Sequence, residues 1–261
     1  MKIAQISDLH FGCTAPEVVT ALRAALQAQT PDLIIASGDI TQSATVAEFN
    51  AARAFFDSLG LPVIAIPGNH DLPGIDLRRF IDPFGRYRRG LATELEPDRR
   101  TPLVDIKCLN SARMILPHPN WANGAVSTRQ CRDIAAFFTA SIAPWRMVVL
   151  HHPLIGSRKL PLDVAVFGQA QALRTLAAQR VDLVLAGHQH HAFAEPIVGN
   201  GHTTLFVNAS TATSTRLRKQ PNGFNMLEFT PGDVRISLLR YDGKAFAVFT
   251  ALTHHKSEHA A

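Results

Sequence analysis

Cysteine is scarce in this chain, whose 261 residues include only Cys13, Cys108 and Cys131. Because the three are widely spaced and odd in number, the sequence predicts no disulfide framework, which fits a reducing compartment. The chain also lacks an apolar run of the ~20 residues that span a bilayer. Its first residues run directly into a strand-like segment, without the apolar core of a signal peptide. We therefore expect a cytoplasmic protein that has no contact with a membrane.

Acidic residues are few relative to basic ones, with 21 Asp and Glu against 26 Lys and Arg. The resulting formal net charge of +5 permits an anionic substrate. The basic residues are scattered, however, and the two short clusters at 86–89 and 99–100 are typical of a solvated surface. We therefore do not expect nucleic acid to be a partner.

Linkers, internal repeats and low-complexity segments are also absent from the sequence. With 46% hydrophobic residues, the chain can bury one large core. The last residues are polar, which is typical of a frayed terminus. The sequence thus predicts one domain over residues 1–252 and a flexible tail over residues 253–261.

The first half of the chain alternates apolar, strand-like runs with helical patterns. Strands are predicted at 2–7, 32–37 and 62–66. The helices between them are predicted to begin at capping-box sequences over residues 14–17 and 45–48. Because a βαβαβ order requires right-handed crossovers, we expect a largely parallel sheet.

The second half has less regular signals. Residues 72–102 are rich in Pro, Gly and Arg and predict a loop with short helical turns near the site. The helix that begins at Ser127 is expected to carry Ile142 on its apolar face. Turn sequences between the last apolar runs predict antiparallel strands in the C-terminal quarter. The remaining elements are a turn at 123–126, a helix at 168–179, and strands at 103–109, 147–150, 181–186, 204–208, 224–229, 234–239 and 245–251.

Five of the strand-like runs end in Asp, Asn or His. The carboxyl ends of parallel strands lie along one edge of a sheet, where open α/β folds gather ligands. Carboxylates, imidazoles and a carboxamide at such an edge are suited to two divalent metal ions. The five motifs are Asp8-Leu9-His10, Gly38-Asp39, Gly68-Asn69-His70-Asp71, His151-His152 and Gly187-His188-Gln189-His190.

Each motif alone has an ordinary structural explanation. Asp39 could cap a turn, and a buried His10 near Asp8 is commoner than a metal site. The occurrence of all five motifs at strand ends favours a dinuclear metal site instead. In such a site Asp39 could bridge the two ions, since a carboxylate has two oxygens with spare lone pairs.

The series D-x-H, G-D, G-N-H-D, H and G-H-x-H resembles the calcineurin-like metallophosphoesterase superfamily, over residues 8–190. The resemblance implies an α/β fold, namely a four-layer αββα sandwich in which helices flank two mixed β-sheets. It also implies a dinuclear metal site at the carboxyl-terminal rim of the strands. The forms SDLHFG, PGNHD, HHP and AGHQH are similar to those of the cyclic-nucleotide (class III) and glycerophosphodiester phosphodiesterase group.

The resemblance further implies a set of ligands for two metal ions. The donor atoms alone do not show whether these ions are Mn, Fe, Zn or Co. In this set Asp39 bridges the two ions. His151 is preferred to His152 because the family ligand is the first His after the strand. One metal is assigned to Asp8, His10 and His190, and the other to Asn69, His151 and His188.

Two further residues receive catalytic roles from the resemblance. His70 would stabilise the phosphoryl group or protonate the leaving oxygen. Asp71 would orient His70 by accepting its other N–H. The loops at 72–122 and 154–168 are expected to determine the substrate specificity. In the first loop, Trp121 could stack on a nucleobase or pack beneath a loop.

The implied function is metal-dependent hydrolysis of a small phosphodiester, with 3′,5′-cyclic AMP as the first guess. A hydroxide held between the two metals would attack phosphorus. A glycerophosphodiesterase and a broad-specificity phosphodiesterase are the enzymatic alternatives. A non-catalytic scaffold on the same fold is the alternative of another class. The sequence leaves open whether the protein forms a homo-oligomer, because no motif indicates an interface.

Overall fold

The first three strands of the chain are parallel, and their carboxyl ends lie side by side. β1 (Lys2–Ile6) pairs with β2 (Leu33–Ser37), and β2 pairs with β3 (Val63–Ile66). The crossovers are α1 (Pro16–Gln29) and α2 (Val46–Leu59), so the predicted βαβαβ unit is confirmed. The computed structural model describes residues 1–74, 76–158, 161 and 165–256.

The two predicted capping boxes have different outcomes. At α2 the prediction is confirmed, because the Thr45 hydroxyl accepts a hydrogen bond from the backbone N–H of Glu48 at 3.2 Å. At α1 the prediction of Thr14 as the cap is wrong. The helix begins at Pro16, whose fixed φ suits a first helical residue, while Thr14 forms a β-bridge with Ser214.

The middle of the chain contributes a second sheet and the helices that cover it. The loop at 72–102 contains two short helices, as predicted. In chain order the elements are α3 (Arg78–Ile81), α4 (Gly85–Gly90), β4 (Val104–Cys108), β5 (Gly124–Ala125), α5 (Thr128–Thr139), β6 (Trp145–Val149), β7 (Val166–Phe167), α6 (Gln169–Ala178), β8 (Leu183–Ala186), β9 (Phe193–Gly199) and β10 (His202–Asn208). The second sheet has the strand order β4-β6-β8-β10-β9, and only the β9–β10 pair is antiparallel.

Two predictions in this region are wrong in detail, and one strand lacks a sequence signal. The predicted turn at 123–126 contains strand β5, which pairs with β7 in parallel. Ile142 lies beyond the end of α5 and is 100% exposed, so it is not part of the apolar helix face. Strand β9 was not predicted at all, because its side chains are half-buried or exposed and include Pro196.

The last three strands return to the first sheet as antiparallel neighbours. They are β11 (Gly223–Phe229), β12 (Asp233–Tyr241) and β13 (Phe246–His255), and β11 pairs with β1. Strand β13 passes the predicted domain boundary at residue 252 because His255 still pairs with Asp233. The predicted flexible tail is therefore wrong at residues 253–255, and residues 257–261 lie outside the described part of the chain.

The core is divided by the two main sheets. Ile3 and Ile35 of the first sheet pack against side chains of the second sheet such as Ile106 and Met147. On their outer faces, the first sheet packs against α1 and α2, and the second packs against α5 and α6. This arrangement confirms the αββα sandwich. Among the described residues, none of the helices has the length and apolar character needed to cross a membrane.

Candidate dinuclear metal centre

Both sheets end at one edge of the molecule, and the predicted ligands meet there. Asp8, Asp39 and Asn69 follow three adjacent parallel strands of the first sheet. His151 and His188 follow two adjacent parallel strands of the second sheet. All of these side chains are buried except that of Asn69, which is half-buried. The parallel pairing therefore brings together residues that are far apart in the sequence.

The first group of donor atoms joins the ends of the two sheets. Nε2 of His10 lies 3.0 Å from Nε2 of His190. Nε2 of His190 also lies 3.3 Å from Oδ1 of Asp8. These three side chains can surround a single metal ion, as the resemblance implies.

The second group is built around His151, and Asp39 lies between the two groups. Nε2 of His151 lies 3.2 Å from Nδ1 of His188 and 3.3 Å from Oδ2 of Asp39. The same Oδ2 lies 3.8 Å from Nε2 of His10 in the first group. Oδ1 of Asp39 instead accepts a hydrogen bond from the backbone N–H of His70 at 2.8 Å. A single carboxylate oxygen, rather than two, is thus available to both groups.

The hydrogen bonds of the imidazoles leave their Nε2 atoms oriented for binding two cations. Nδ1 of His151 lies 2.9 Å from the carbonyl of Ser37, and Nδ1 of His190 lies 2.7 Å from the carbonyl of Arg216. A carbonyl only accepts, so both Nδ1 atoms donate, and in the neutral form of each ring the Nε2 lone pair faces a carboxylate. Oδ1 of Asn69 is buried without a hydrogen-bond partner among the described residues. Such a cluster of facing acceptors is stable only around positive charge.

The electrostatics of the cluster lead to the same conclusion. Burial alone would raise the pKa of Asp8, but the adjacent His190 imidazole lowers it to about 2. Burial would also raise the pKa of Asp39, and His151 holds that pKa well below its ordinary value. Burial alone would lower the pKa of His151, but the charge of Asp39 raises it to about 9. The two carboxylates therefore require either protons on these imidazoles or bound metal ions.

His70 lies beside this cluster, although not in the orientation predicted. Its Nδ1 lies 2.8 Å from the carbonyl of Gln42 and so donates to it. Its Nε2 lies 3.2 Å from Nη1 of Arg216. The prediction that Asp71 accepts a proton from His70 is wrong, because neither ring nitrogen faces that carboxylate.

Asp71 fixes the backbone around the cluster instead. Its Oδ1 accepts from the N–H and the hydroxyl of Thr41, both at 2.8 Å. Its Oδ2 accepts from the N–H groups of Gly68 at 2.9 Å and Ile40 at 3.1 Å. Burial, and then the charge of Asp39, raises the pKa of Asp71 to about 6. The side chain thus ties the loop after β2 to the loop after β3.

His152 is buried next to His151 and His188, and the three side chains offer ligand atoms within 4.8 Å of one another. Its Nδ1 lies 2.8 Å from the hydroxyl of Ser111, and its ring centroid lies 4.8 Å from that of His188. Burial, and then the neighbouring His188, holds the pKa of His152 well below its ordinary value. The contact of His151 with Asp39 therefore favours His151 as the ligand.

The model of the calcineurin-like phosphoesterase family matches residues 1–192 of this chain. The chain belongs to this family. This phosphoesterase is therefore a hydrolase of phosphoester bonds, and the prediction of an enzyme is confirmed.

Several proteins of known name align with most of the sequence of this phosphoesterase. A Synechococcus protein named "Probable cyclic nucleotide phosphodiesterase" is 30% identical over 243 residues, which are 88% of each chain. A glycerophosphodiester phosphodiesterase of Enterobacter lignolyticus is 25% identical over 73% of this chain and 71% of its own length. A 3′,5′-cyclic-nucleotide phosphodiesterase of Nostoc is 21% identical over 87% of each chain.

Solved structures share the fold of this phosphoesterase. A purple acid phosphatase of yellow lupin superposes with a TM-score of 0.74 at 13% identity, covering 97% of this chain. The chain spans about half of that protein, 53% of its length. A dimetal phosphatase of Danio rerio superposes with a TM-score of 0.71 at 12% identity, covering 98% of this chain and 99% of its own.

Backbone strain in this phosphoesterase is concentrated at the metal centre. Five of the predicted ligands have φ between 50° and 69°, in the left-handed region that non-glycine residues rarely adopt. Each residue in this conformation lowers the folding stability by about 1–3 kcal/mol. The conformation persists only where the surrounding structure fixes it. The five are Asp8, His10, Asp39, His188 and His190.

Two glycines allow the backbone to approach the ligands closely. Gly38 has φ +93°, and a Cβ at this position would lie 2.5 Å from Nδ1 of His151. A Cβ on Gly68 would collide with the backbone N and the carboxylate of Asp39. The glycines of the G-D and G-N-H-D motifs are thus required by the space between the strand ends.

Sequence reasoning missed one residue at the edge of the centre. Arg216 contacts His70 through its guanidinium and His190 through its carbonyl. It also lies 3.3 Å from Oε1 of Gln42. Arg216 follows a run of Thr, Ser and Ala that carries no motif, so no local signal could have identified it. Of the loop predicted at 154–168, residues 159, 160 and 162–164 lie outside the described part of the chain.

Proposed function

We propose that this phosphoesterase hydrolyses a 3′,5′-cyclic nucleotide, with cyclic AMP as the first substrate to test. The observation that carries the proposal is the convergence of two donor groups that share Oδ2 of Asp39. The match to a protein named as a cyclic nucleotide phosphodiesterase, over 88% of both chains, supports this choice of substrate.

The ligand assignment is part of the proposal. Asp39 would contribute a ligand to both ions, and the candidate metals are Mn, Fe, Zn and Co. The first ion is held by Asp8, His10 and His190, whose donor atoms lie within 4.8 Å of one another. The second is held by His151, His188 and Asn69, and the buried Oδ1 of Asn69 supplies the neutral oxygen ligand. When bound, the two cations supply a hydroxide nucleophile at neutral pH and neutralise charge on the phosphate.

The residues around the ions orient the ligands and hold the proton. The carbonyls of Ser37 and Arg216 fix the tautomers of His151 and His190, which keeps both Nε2 atoms directed at the ions. The bond from Nδ1 of His70 to Gln42 similarly leaves Nε2 of His70 at the open side of the centre. From there His70 reaches the leaving oxygen of the phosphodiester.

Arg216 supplies a positive charge at the same place. Its guanidinium shares the open side of the centre with His70 and can pair with a phosphate oxygen. In this arrangement Nη1 of Arg216 donates to Nε2 of His70. When an anionic phosphate draws the guanidinium away, Nε2 of His70 becomes free to accept a proton from solvent and to pass it to the leaving oxygen of the phosphodiester. Arg216 and His70 thus act on neighbouring oxygens of one phosphodiester.

A glycerophosphodiester is the second candidate substrate. The Enterobacter relative, named as a glycerophosphodiester phosphodiesterase, favours it, because 73% of this chain aligns with that protein. The same two ions would serve either diester, so the reacting centre alone does not choose between them. The choice depends on the surfaces that contact the groups on either side of the phosphate.

The experiment compares diesters on one preparation. Metal-free protein is reloaded with Mn²⁺, and hydrolysis of cyclic AMP, glycerophosphoethanolamine and bis(p-nitrophenyl) phosphate is measured with and without chelator. Asp39→Asn is the matched variant that keeps the shape of the site and removes the shared charge. We expect kcat/KM to be highest for cyclic AMP and to fall at least about 100-fold in Asp39→Asn for every diester. Hydrolysis of the other two diesters but not of cyclic AMP would reject the cyclic nucleotide and keep the chemistry.

A further inference from the structure

A cavity of about 400 Å³ opens directly beside the metal centre. Asn69 and His70 belong to its wall, so a ligand whose phosphate lies at the metals can extend into it. The volume falls in the range of small-molecule sites. The other lining residues are Gln42, Ser43, Leu72, Gly74, Arg79, Asn120, Trp121 and Ala122.

Trp121 presents an exposed aromatic ring in this wall. Its side chain is 39% exposed, whereas Trp145, the second tryptophan of the chain, is completely buried. The loop that carries it is held by local hydrogen bonds. The N–H of Asn120 donates to Nδ1 of His118 and the N–H of Ala122 donates to Oδ1 of Asn120, both at 3.0 Å. The indole is thus held at the cavity rather than packed into the core.

Arg79 stacks its guanidinium against the indole ring of Trp121. Its guanidinium carbon lies 4.7 Å from the centroid of the Trp121 ring, and the residue is only 3% exposed. Its nitrogens donate to the carbonyls of Pro73 at 2.7 Å, Met114 at 2.9 Å and Arg113 at 3.4 Å. No carboxylate pairs with it among the residues that the structure describes. Arg79 therefore joins two chain segments, one at Pro73 and one at Arg113 and Met114, to the ring.

A buried cation without a carboxylate partner also has an electrostatic effect. Its charge is solvated by carbonyl oxygens and the face of the indole rather than neutralised. A ring polarised in this way attracts a second flat, electron-rich system on its exposed side. The wall is suited to a planar aromatic group that is linked to a phosphate.

We propose that Trp121, supported by Arg79, is the platform on which the nucleobase of the substrate stacks while its phosphate lies at the metal centre. This inference rests on the proposed function and names the surface that distinguishes a nucleotide from a glycerophosphodiester. Trp121 is here a specificity residue, and Arg79 is a positioning residue that acts through it. Loss of a base–aromatic stack costs about 10-fold to 100-fold in affinity.

Tryptophan fluorescence tests the contact without catalysis. AMP is the ligand, since it carries the base and phosphate and is not a diester. We expect AMP to quench the fluorescence of the wild-type protein and to have no effect on Trp121→Phe, in which only the buried Trp145 emits. Ribose 5-phosphate, which lacks the base, should leave the wild-type signal unchanged. Equal quenching of both proteins by AMP would overturn the proposal.

Kinetics test the specificity. In Trp121→Ala we expect KM for cyclic AMP to rise about 10-fold or more, while Trp121→Phe, which keeps an aromatic face, changes it little. KM for glycerophosphoethanolamine should stay the same in both variants. Phe249→Ala removes a similarly exposed ring, 61% exposed on β13, and is the control that should alter neither substrate.

The outcomes separate this inference from the proposed function. If wild-type protein hydrolyses cyclic AMP and Trp121→Ala leaves its KM unchanged, the platform is wrong and the function stands. If KM rises equally for both diesters, Trp121 only packs the wall and the platform is again wrong. If wild-type protein does not hydrolyse cyclic AMP but AMP still quenches Trp121, the platform stands and the substrate is a different nucleotide.

Discussion

The Nε2 atoms of His10 and His190 lie 3.0 Å apart, although 180 positions separate the two residues along the chain. His190 already donates its Nδ1 proton to the carbonyl of Arg216. In the neutral ring its Nε2 therefore faces His10 as an acceptor. His10 follows β1 of the first sheet and His190 follows β8 of the second sheet, so the contact joins the ends of the two sheets. A metal ion held by both rings would satisfy both nitrogens.

The first prediction concerns the protons that metal binding releases. In the metal-free protein the charge of Asp39 overcomes burial and raises the pKa of His151 to about 9, so this ring is protonated at pH 7. A metal ion needs the neutral ring, so the apparent affinity for Mn²⁺ should rise about tenfold per pH unit below pH 9 and level off above it. Calorimetry at pH 7 in buffers of different ionisation enthalpy should show release of at least one proton. Binding without proton release would contradict this assignment.

The second prediction separates His70 from the metal ligands. His70→Ala should keep two metal ions per chain, because the His70 ring contacts Gln42 and Arg216. Its kcat should fall about 10²-fold to 10⁴-fold, as for loss of a proton donor. Metal content and turnover are measured on the same preparation, with His255→Ala as the control at a distant, exposed histidine. Unchanged turnover would remove His70 from the mechanism.

The third prediction concerns the stability that Asp71 provides. Its two oxygens accept four hydrogen bonds, so an amide in Asp71→Asn must direct an NH₂ group at N–H or O–H donors. We expect the free energy of unfolding of the metal-free protein to fall by about 2–4 kcal/mol, as measured by urea denaturation.

Asp242→Asn is the control for this measurement. Asp242 also accepts two backbone N–H groups, from Lys244 and Ala245 at 2.9 Å, but it lies in an exposed turn. Its substitution should therefore lower the free energy of unfolding by only a small fraction of the loss in Asp71→Asn. If both variants lost the same free energy of unfolding, burial of the hydrogen bonds of Asp71 would add nothing to stability.

The fourth prediction compares two glycines. Gly38→Ala and Gly60→Ala both place a side chain at positive φ, +93° and +63°, so both should lose stability. Only at Gly38 does the new Cβ meet His151, whereas nothing lies within 4 Å of it at Gly60. Mn²⁺ affinity, measured against a competing chelator, should therefore fall about 10-fold to 100-fold in Gly38→Ala alone. Equal affinities in the two variants would show that His151 tolerates the displacement.

The parallel strands and the residues at their ends could be predicted from the sequence, because both depend on local patterns. An apolar run such as Leu33–Ser37 is buried on both faces, and its length and flanking residues identify it as a strand. The polar residue that follows must then lie at the carboxyl edge. This is why the positions of Asp39 and Asn69 in the sequence were enough to place both residues at one site.

Contacts between distant segments could not be predicted in the same way. Adjacent residues in a short 3₁₀ turn, such as His70 and Asp71, direct their side chains at different partners, and spacing does not reveal which. Arg216 reaches His70 across 146 positions. Strand β9 owes its conformation to pairing with β10, where even Pro196 is paired with Leu205, rather than to its own propensities.

The most direct test of the dinuclear centre is a titration of metal-free protein with Mn²⁺ while the rate of bis(p-nitrophenyl) phosphate hydrolysis is followed. Because Asp39 contacts both donor groups, full activity should require both ions. We predict that the rate rises until two equivalents of Mn²⁺ have bound and then stays constant, and that Asp39→Asn shows no such rise. A plateau after one equivalent, or a rate that never exceeds that of the chelated protein, would contradict a two-metal phosphodiesterase.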